Sequence, residues 1–163
     1  MTTTYTEYQG TTRELKDLMR ISEAAGWGVY DTPDQYESYV ETLKATDQMR
    51  LFLAKENETT ISFLEVFEKP QTGWDVSEES IYVNGVATDA HAQGQQLTHK
   101  FCRAIMGVFR DAGFRTAITD VQWDNHASQK MCKRLGGQIV SDAPEAVQYM
   151  RGEKHVRIEI ALD

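Results

Sequence analysis

Cysteine, proline and basic charge are all scarce in this chain of 163 residues, and long apolar runs are missing altogether. Its two cysteines, Cys102 and Cys132, are too few for the disulfide framework of a small secreted domain, and neither stands at metal-ligand spacing from the four histidines. Both are expected to be free thiols in a reducing compartment, with no metal required. Without a stretch of about 18 apolar residues, no segment qualifies as a membrane-spanning helix. Met1-Thr2-Thr3-Thr4 has neither the basic start nor the apolar centre of a secretory signal. The expectation is a soluble, cytoplasmic protein with no membrane partner. Lys and Arg number 17 against 25 Asp and Glu, a formal net charge of -8. That shortage of cations argues against a nucleic-acid partner, because phosphate binding draws on clustered Lys and Arg. An acidic balance steers cationic, amine-bearing substrates, or it serves only to keep the protein in solution.

What is present suffices for one core. Hydrophobic residues make up 40% of the chain, and no repeat, low-complexity tract or Pro/Gly/Ser-rich linker divides it, so residues 1–163 are expected to form a single domain. The β-branched and aromatic alternation of residues 2–8 predicts a short strand. Thr11-Thr12-Arg13-Glu14 has the capping-box pattern, and Leu15, Leu18, Met19 and Ala25 follow at helical spacing to a close near Gly26. Thr32 as N-cap, Pro33 in the first turn and Gln35 completing the box open a second helix, whose apolar face is Tyr36, Tyr39, Val40 and Leu43. Residues 49–55 and 60–68 alternate around Glu56-Asn57-Glu58, which predicts an antiparallel hairpin. Pro70 and Gly73 interrupt the pattern before a strand at 80–88. Leu97, Phe101, Ile105, Val108, Phe109 and Ala112 stripe a helix of about four turns that ends at Gly113. A strand at 116–123 follows, then a short helix carrying Ala127, Met131 and Leu135 and stopped by Gly136-Gly137. Residues 138–140 and 156–162 are the last predicted strands, with a loop over 142–152. The helix between the strands ending at Thr88 and starting at Thr116 forms a crossover, so those two are expected to be parallel in a mixed α/β sheet.

Chemistry concentrates between Val86 and Gly137. Val86-Ala87-Thr88 leads to Gln93-Gly94-Gln95-Gln96-Leu97-Thr98, a turn placed directly before a helix. A helix start offers unpaired N–H donors and partial positive charge, which suits a pyrophosphate; one glycine there also suits an ordinary strand-to-helix turn. One helix and one strand downstream come Asn125, Ser128, Met131, Arg134 and Gly136. Taken alone, Asn125 is a helix cap and Met131 is core. Glu65 interrupts the apolar run Ile61-Phe63-Leu64-Val66-Phe67, so it either faces water or has a buried partner. Phe63 and Phe67 share its strand face and make the inward option credible. His91 is an exposed loop residue or a phosphate or adenine contact, His126 a first-turn residue or a base acting through water, and Trp123 core or pocket wall. No Ser-His-Asp arrangement with a strand-turn-helix elbow supports an acyl-enzyme hydrolase.

Together, the strand Val86-Ala87-Thr88, the Gln93-Gly94 turn and the Asn125 to Gly136 block resemble the two sequence blocks of the GCN5-related N-acetyltransferase (GNAT) superfamily. Gln93 takes the Arg/Gln position and Gly94 the first glycine, while Gln96 stands where a second glycine is usual and Thr98 where Gly or Ala is usual. The amide of residue 96 is expected to donate from a right-handed conformation. The resemblance implies a single-domain GNAT-like α/β fold, a mixed, twisted central sheet flanked by helices, with pantetheine entering between the strands ending at Thr88 and starting at Thr116. It implies transfer of an acetyl group from acetyl-CoA to a primary amine of a small molecule or protein, by direct attack and without metal. Val86, Ala87, Thr88, Gln93, Gly94, Gln95, Gln96, Leu97, Thr98, Asn125 and Ser128 would bind the coenzyme. A bulge in Asn84-Gly85-Val86-Ala87 would free an N–H for the thioester oxygen, with Gly85 as its local sign. The base would be a carboxylate among Glu65, Glu68, Glu78 and Glu79, Glu65 first. Cys132 stands where many members place a proton-donating tyrosine; with a reference pKa of about 8.5 against about 10 it is either the better donor or a small buried hydrophobe. Gln96, Thr98 and Cys132 also motivate a second reading, a binding or regulatory module on a degenerate fold. A third keeps catalysis with another donor, or with a nucleobase or aminoacyl acceptor. The alternating terminal strand is expected to offer an edge for a homodimer.

Overall fold

The computed structural model describes residues 2–94 and 96–163 and contains one seven-stranded sheet with helices on both faces. Strands β1 (Thr3–Glu7), β2 (Met49–Glu56), β3 (Thr59–Phe67) and β4 (Ser80–Thr88) form an antiparallel half. Strand β5 (Thr116–Gln122) runs parallel to β4, and β7 (His155–Ala161) and β6 (Gln138–Asp142) continue antiparallel, giving the order β1-β2-β3-β4-β5-β7-β6. The helices are α1 (Thr12–Ala24), α2 (Pro33–Asp47), α3 (Leu97–Asp111), α4 (His126–Arg134) and α5 (Glu145–Arg151).

Local chemistry starts and stops these elements as expected, with one exchange of partners. Thr11 accepts from the Glu14 amide and Glu14 Oε1 accepts from the Thr11 amide, a complete capping box. Thr32 caps α2, but Gln35 accepts from the Asp31 amide rather than closing the box on Thr32. Asn57 and Glu58 both have positive φ, the handedness that lets a two-residue turn join the twisted strands β2 and β3. Period-two alternation sends Phe52, Ala54, Leu64 and Val66 to one face and Leu51, Leu53, Phe63 and Phe67 to the other. The first set packs with Phe101, Ile105 and Phe109 of α3. The second packs with Leu15 and Leu18 of α1 and Tyr36 and Val40 of α2.

Three expectations are corrected. Residues 142–152 hold α5, which buries Val147 and ends at Gly152 in the left-handed region. Its first residue follows Pro144 without a side-chain cap, so the usual start signal is missing. Strand β7 is not an edge: β5 and β6 flank it, because β6 returns outside it, and the sheet edges are β1 and β6. Trp123 is not core, since β5 ends at Gln122 and the indole is 57% exposed.

The feature that positions chemistry is a fork. Pairing between β4 and β5 is limited to Ser80↔Thr116, Ile81↔Ala117 and Tyr82↔Ile118, after which the strands diverge. Beyond Tyr82, β4 stays paired to β3 on its other side through Thr88. The fork therefore leaves one edge of Val86, Ala87 and Thr88 without a strand partner.

Candidate active site

At the fork, β4 carries one residue too many. Glu65 pairs with Gly85 and Val66 with Val83, so Asn84 is the extra residue of a bulge opposite Glu65. Bulges free backbone donors from the ladder and re-aim side chains. Here Asn84 Nδ2 donates to Glu65 Oε1 at 3.1 Å, and the Tyr39 hydroxyl of α2 donates to Oε2 at 3.0 Å. Glu65 is 2% exposed, so the inward option holds. Burial pushes its carboxyl above the usual range, while the Tyr39 and Asn84 hydrogen bonds and the charge of Arg151 pull it back. Desolvation and the neighbouring Glu65 push the Tyr39 phenol well up. Gly85 has a steric reason as well: a Cβ there would lie 2.5 Å from the Trp27 ring, which covers the bulge and stacks edge-on against Phe63. Glu78 and Glu79 are exposed, and Glu68 bonds Arg50.

A second cluster joins the end of β4 to the start of α3. Thr88 Oγ1 lies 2.6 Å from Thr98 Oγ1 and 2.8 Å from Ser62 Oγ, and Gln93 Nε2 donates to the Thr88 carbonyl at 3.1 Å. Val86 to Thr88 and Gln93 to Thr98 are thus brought together, with Gln95 outside the described residues. Gln96 is the N-cap of α3 and adopts φ 59°, ψ 10°, with no side-chain cap. The right-handed expectation is corrected: Gln96 holds the left-handed backbone that a glycine adopts without strain. Gly94 has φ 82° and open space around its missing side chain. An uncapped helix start beside an open glycine fits a phosphate group better than a capped one does. Leu97 points its side chain into the core, leaving only its backbone to a ligand.

The α4 block is more structural. Asn125 Oδ1 accepts from the Ser128 amide at 3.1 Å, the helix cap itself. Cys132 is 7% exposed among Phe101, Cys102 and Ile158, and burial pushes its thiol up to about 11. Cys102 is pushed up to about 12 by burial and by Cys132. His99 and Arg103 of α3 contact the Arg134 carbonyl, tying α3 to the end of α4. His126 is exposed in the first turn of α4, and His91 sits beside Asp89 in the turn after β4.

Sequence reasoning missed the polar chain that extends from Glu65. Arg151 Nη2 donates to Asn84 Oδ1 at 3.2 Å and to the Tyr82 hydroxyl at 3.1 Å. Tyr82 donates in turn to Asp120 Oδ2 at 2.8 Å, and Arg157 grips both Asp120 oxygens at 2.9 Å. A polar Asn84 inside an apolar strand was the one available sign. Two surface hollows, of about 360 and 200 Å³, lie elsewhere, around Glu14 and Lys55 and around Arg103 and Arg110. Among the described residues no helix is long and apolar enough to cross a membrane, and no group of three or more His, Cys, Asp or Glu is arranged for a metal ion.

The mixed sheet forks after three parallel residue pairs and carries a buried acid at a bulge, and comparison with known proteins gives the class. The profile of the Acetyltransferase (GNAT) family matches residues 12–137, and the chain belongs to that family, a class of N-acetyltransferases. The fold is similar to an N-acetyltransferase from Staphylococcus aureus Mu50, at 15% identity and TM-score 0.75 over 100% of both chains. It is similar also to the ribosomal-protein-S18-alanine N-acetyltransferase of Escherichia coli, at 13% identity and TM-score 0.72 over 99% of this chain and 95% of that one. A Salmonella typhimurium protein solved with its cofactor acetyl-CoA matches at 15% identity and TM-score 0.73, over 99% and 94%. No curated protein sequence matches this chain.

Proposed function

We propose that the protein transfers an acetyl group from acetyl-CoA to a primary amine, with Glu65 as general base. The observation that carries this reading is the position of Glu65: buried, hydrogen-bonded by Tyr39 and Asn84, and facing the bulge at the fork of β4 and β5. The coenzyme supplies the activated acetyl thioester. Val86, Ala87 and Thr88 offer the unpaired strand edge for its pantetheine arm, and the amides of Gly94, Gln96, Leu97 and Thr98 offer donors to its pyrophosphate. A bulge N–H at Gly85 or Val86 polarises the thioester carbonyl. Glu65 takes the proton of the attacking ammonium, either directly or through one water. Cys132 is read as packing, which its burial among α3 residues supports. Asn125 and Ser128 hold the start of α4 through their cap hydrogen bond, and from there they are read as contacts of the coenzyme. A small or protein-borne amine fits the acidic net charge of -8.

The pH dependence follows from the carboxylate. A base must be ionised, and the Glu65 carboxyl titrates above its usual range. Activity is therefore lost as pH falls through that raised value. Stability runs the other way: the contribution of Glu65 is fully present below the ordinary carboxylate range and is lost as pH rises through the raised value. Assaying release of the coenzyme thiol from acetyl-CoA across a panel of primary amines tests the whole reading. Glu65→Gln is expected to lower kcat by about 10²–10⁴-fold with little change in coenzyme affinity. Turnover unchanged in Glu65→Gln would remove the base from the mechanism.

A further inference from the structure

The base is held by an amide whose orientation is itself imposed, and the source of that constraint is α5. Asn84 has one end that donates and one that accepts, and a bare amide at a bulge is free to present either to Glu65. Arg151 removes the choice. A guanidinium only donates, so its Nη2 at 3.2 Å requires Oδ1 of Asn84, which leaves Nδ2 to face Glu65 at 3.1 Å. The same Nη2 donates to the Tyr82 hydroxyl, whose own proton is committed to Asp120, and Asp120 is gripped by Arg157. Every bond in this chain has one direction, from Arg151 towards Glu65 on one branch and towards Asp120 on the other. Arg151 is half-buried at the end of α5, and its buried Nε has no hydrogen-bond partner among the described residues.

We propose, resting on the reading of Glu65 as base, that Arg151 is a positioning residue: it locks the Asn84 amide so that the bulge donates to Glu65 and keeps that side chain an acceptor. Among the described residues the groups facing Glu65 are few enough to make this decisive. Tyr30, Tyr36 and Tyr39 approach it from α2 and the segment before it, Asn84 from β4 and Arg151 from α5. Arg151 is the only cation among them. Without it the amide is free to turn Oδ1 towards Glu65, an arrangement that favours the protonated acid. Short helix α5 therefore gives the protein a way to set the ionisation of a residue on the far side of β4, and any acceptor that displaces Arg151 would change that ionisation.

The test is an NMR pH titration of full-length protein carrying ¹³C-carboxyl glutamate, with the Glu65 signal assigned by its loss in Glu65→Gln. In Arg151→Gln the Glu65 midpoint is expected to rise by about one pH unit. Arg151→Lys, which keeps the charge but not the planar fork, is expected to raise it less. In an Asn84→Ala background the step caused by Arg151→Gln should shrink, because the two residues act through one another. An unmoved midpoint in Arg151→Gln, or an equal step with Asn84 removed, overturns the proposal. If Arg151→Gln does not fold, the comparison of Arg151→Lys in the two backgrounds decides by the same criterion. Failure of the acetyl-transfer reading shows separately, as no amine-dependent release of coenzyme thiol by the wild type.

Discussion

Gln96 carries a residue-scale cost that the family pattern explains. An L-residue in the left-handed region is disfavoured by about 1–2 kcal/mol, and glycine adopts it freely. The backbone of the glycine persists at Gln96 although the glycine does not. Gln96→Gly is expected to raise stability by about 0.5–1 kcal/mol, after allowance for the freer unfolded chain. Urea unfolding measures it, and a lower midpoint would contradict the strain. The cysteines give a second test. With Cys132 pushed up to about 11 and Cys102 to about 12 by burial, both are thiols at pH 8, and the stability this contributes is fully present below the ordinary thiol range and is lost as pH rises from there through those values. The native protein is expected to be inert to Ellman's reagent at pH 8 and to react at both thiols in urea. A rapidly modified Cys132 would reopen the proton-donor role. Sequence left Glu65 open between a solvated face and a buried partner, because alternation does not say which face of a strand is covered; its place between Phe63 and Phe67 made the buried option credible. Cys132 was left open too, because one residue type serves both as donor and as packing.

At the scale of elements, the bulge of β4 and the placement of α5 decide what the sheet does. Gly85 announced the bulge, and the register shift between Glu65 and Val66 is its structural form. The hairpin β2–β3, the capping box of α1 and the crossover through α3 were readable for a common reason: each depends on local chemistry or on period-two and helical spacing. Helix α5 depends on neither. It has two turns, one buried residue and no capping side chain, and it is held by contacts distant in sequence, such as Arg151 to Tyr82. The polar chain that it joins was hidden for the same reason, apart from Asn84. Asp120 on β5 and Arg157 on β7 meet only because those strands pair in register, and both are buried. Arg157→Met would leave the Asp120 charge without its partner and is expected to cost about 3–5 kcal/mol. A change below 1 kcal/mol in the urea unfolding midpoint would mean that Tyr82 alone satisfies Asp120.

For the molecule as a whole, the two halves of the sheet meet over only three parallel pairs, and the opening they leave is what makes the fold useful. The α1 and α2 face brings Tyr39 and Trp27 to the bulge, the α3 face brings the uncapped helix start, and Arg151 of α5 reaches Asn84 at the fork. Element order and the parallel crossover carried the fold in sequence. The acceptor side depends on loops and a short helix whose positions are set by tertiary contacts. Coenzyme binding is the claim on which everything else rests, and it is measured most directly by calorimetric titration of the purified, coenzyme-stripped protein with acetyl-CoA. One site per chain with a Kd on the order of 1 μM is expected. No heat of binding up to about 1 mM would contradict the account, leaving the family fold without its assumed donor.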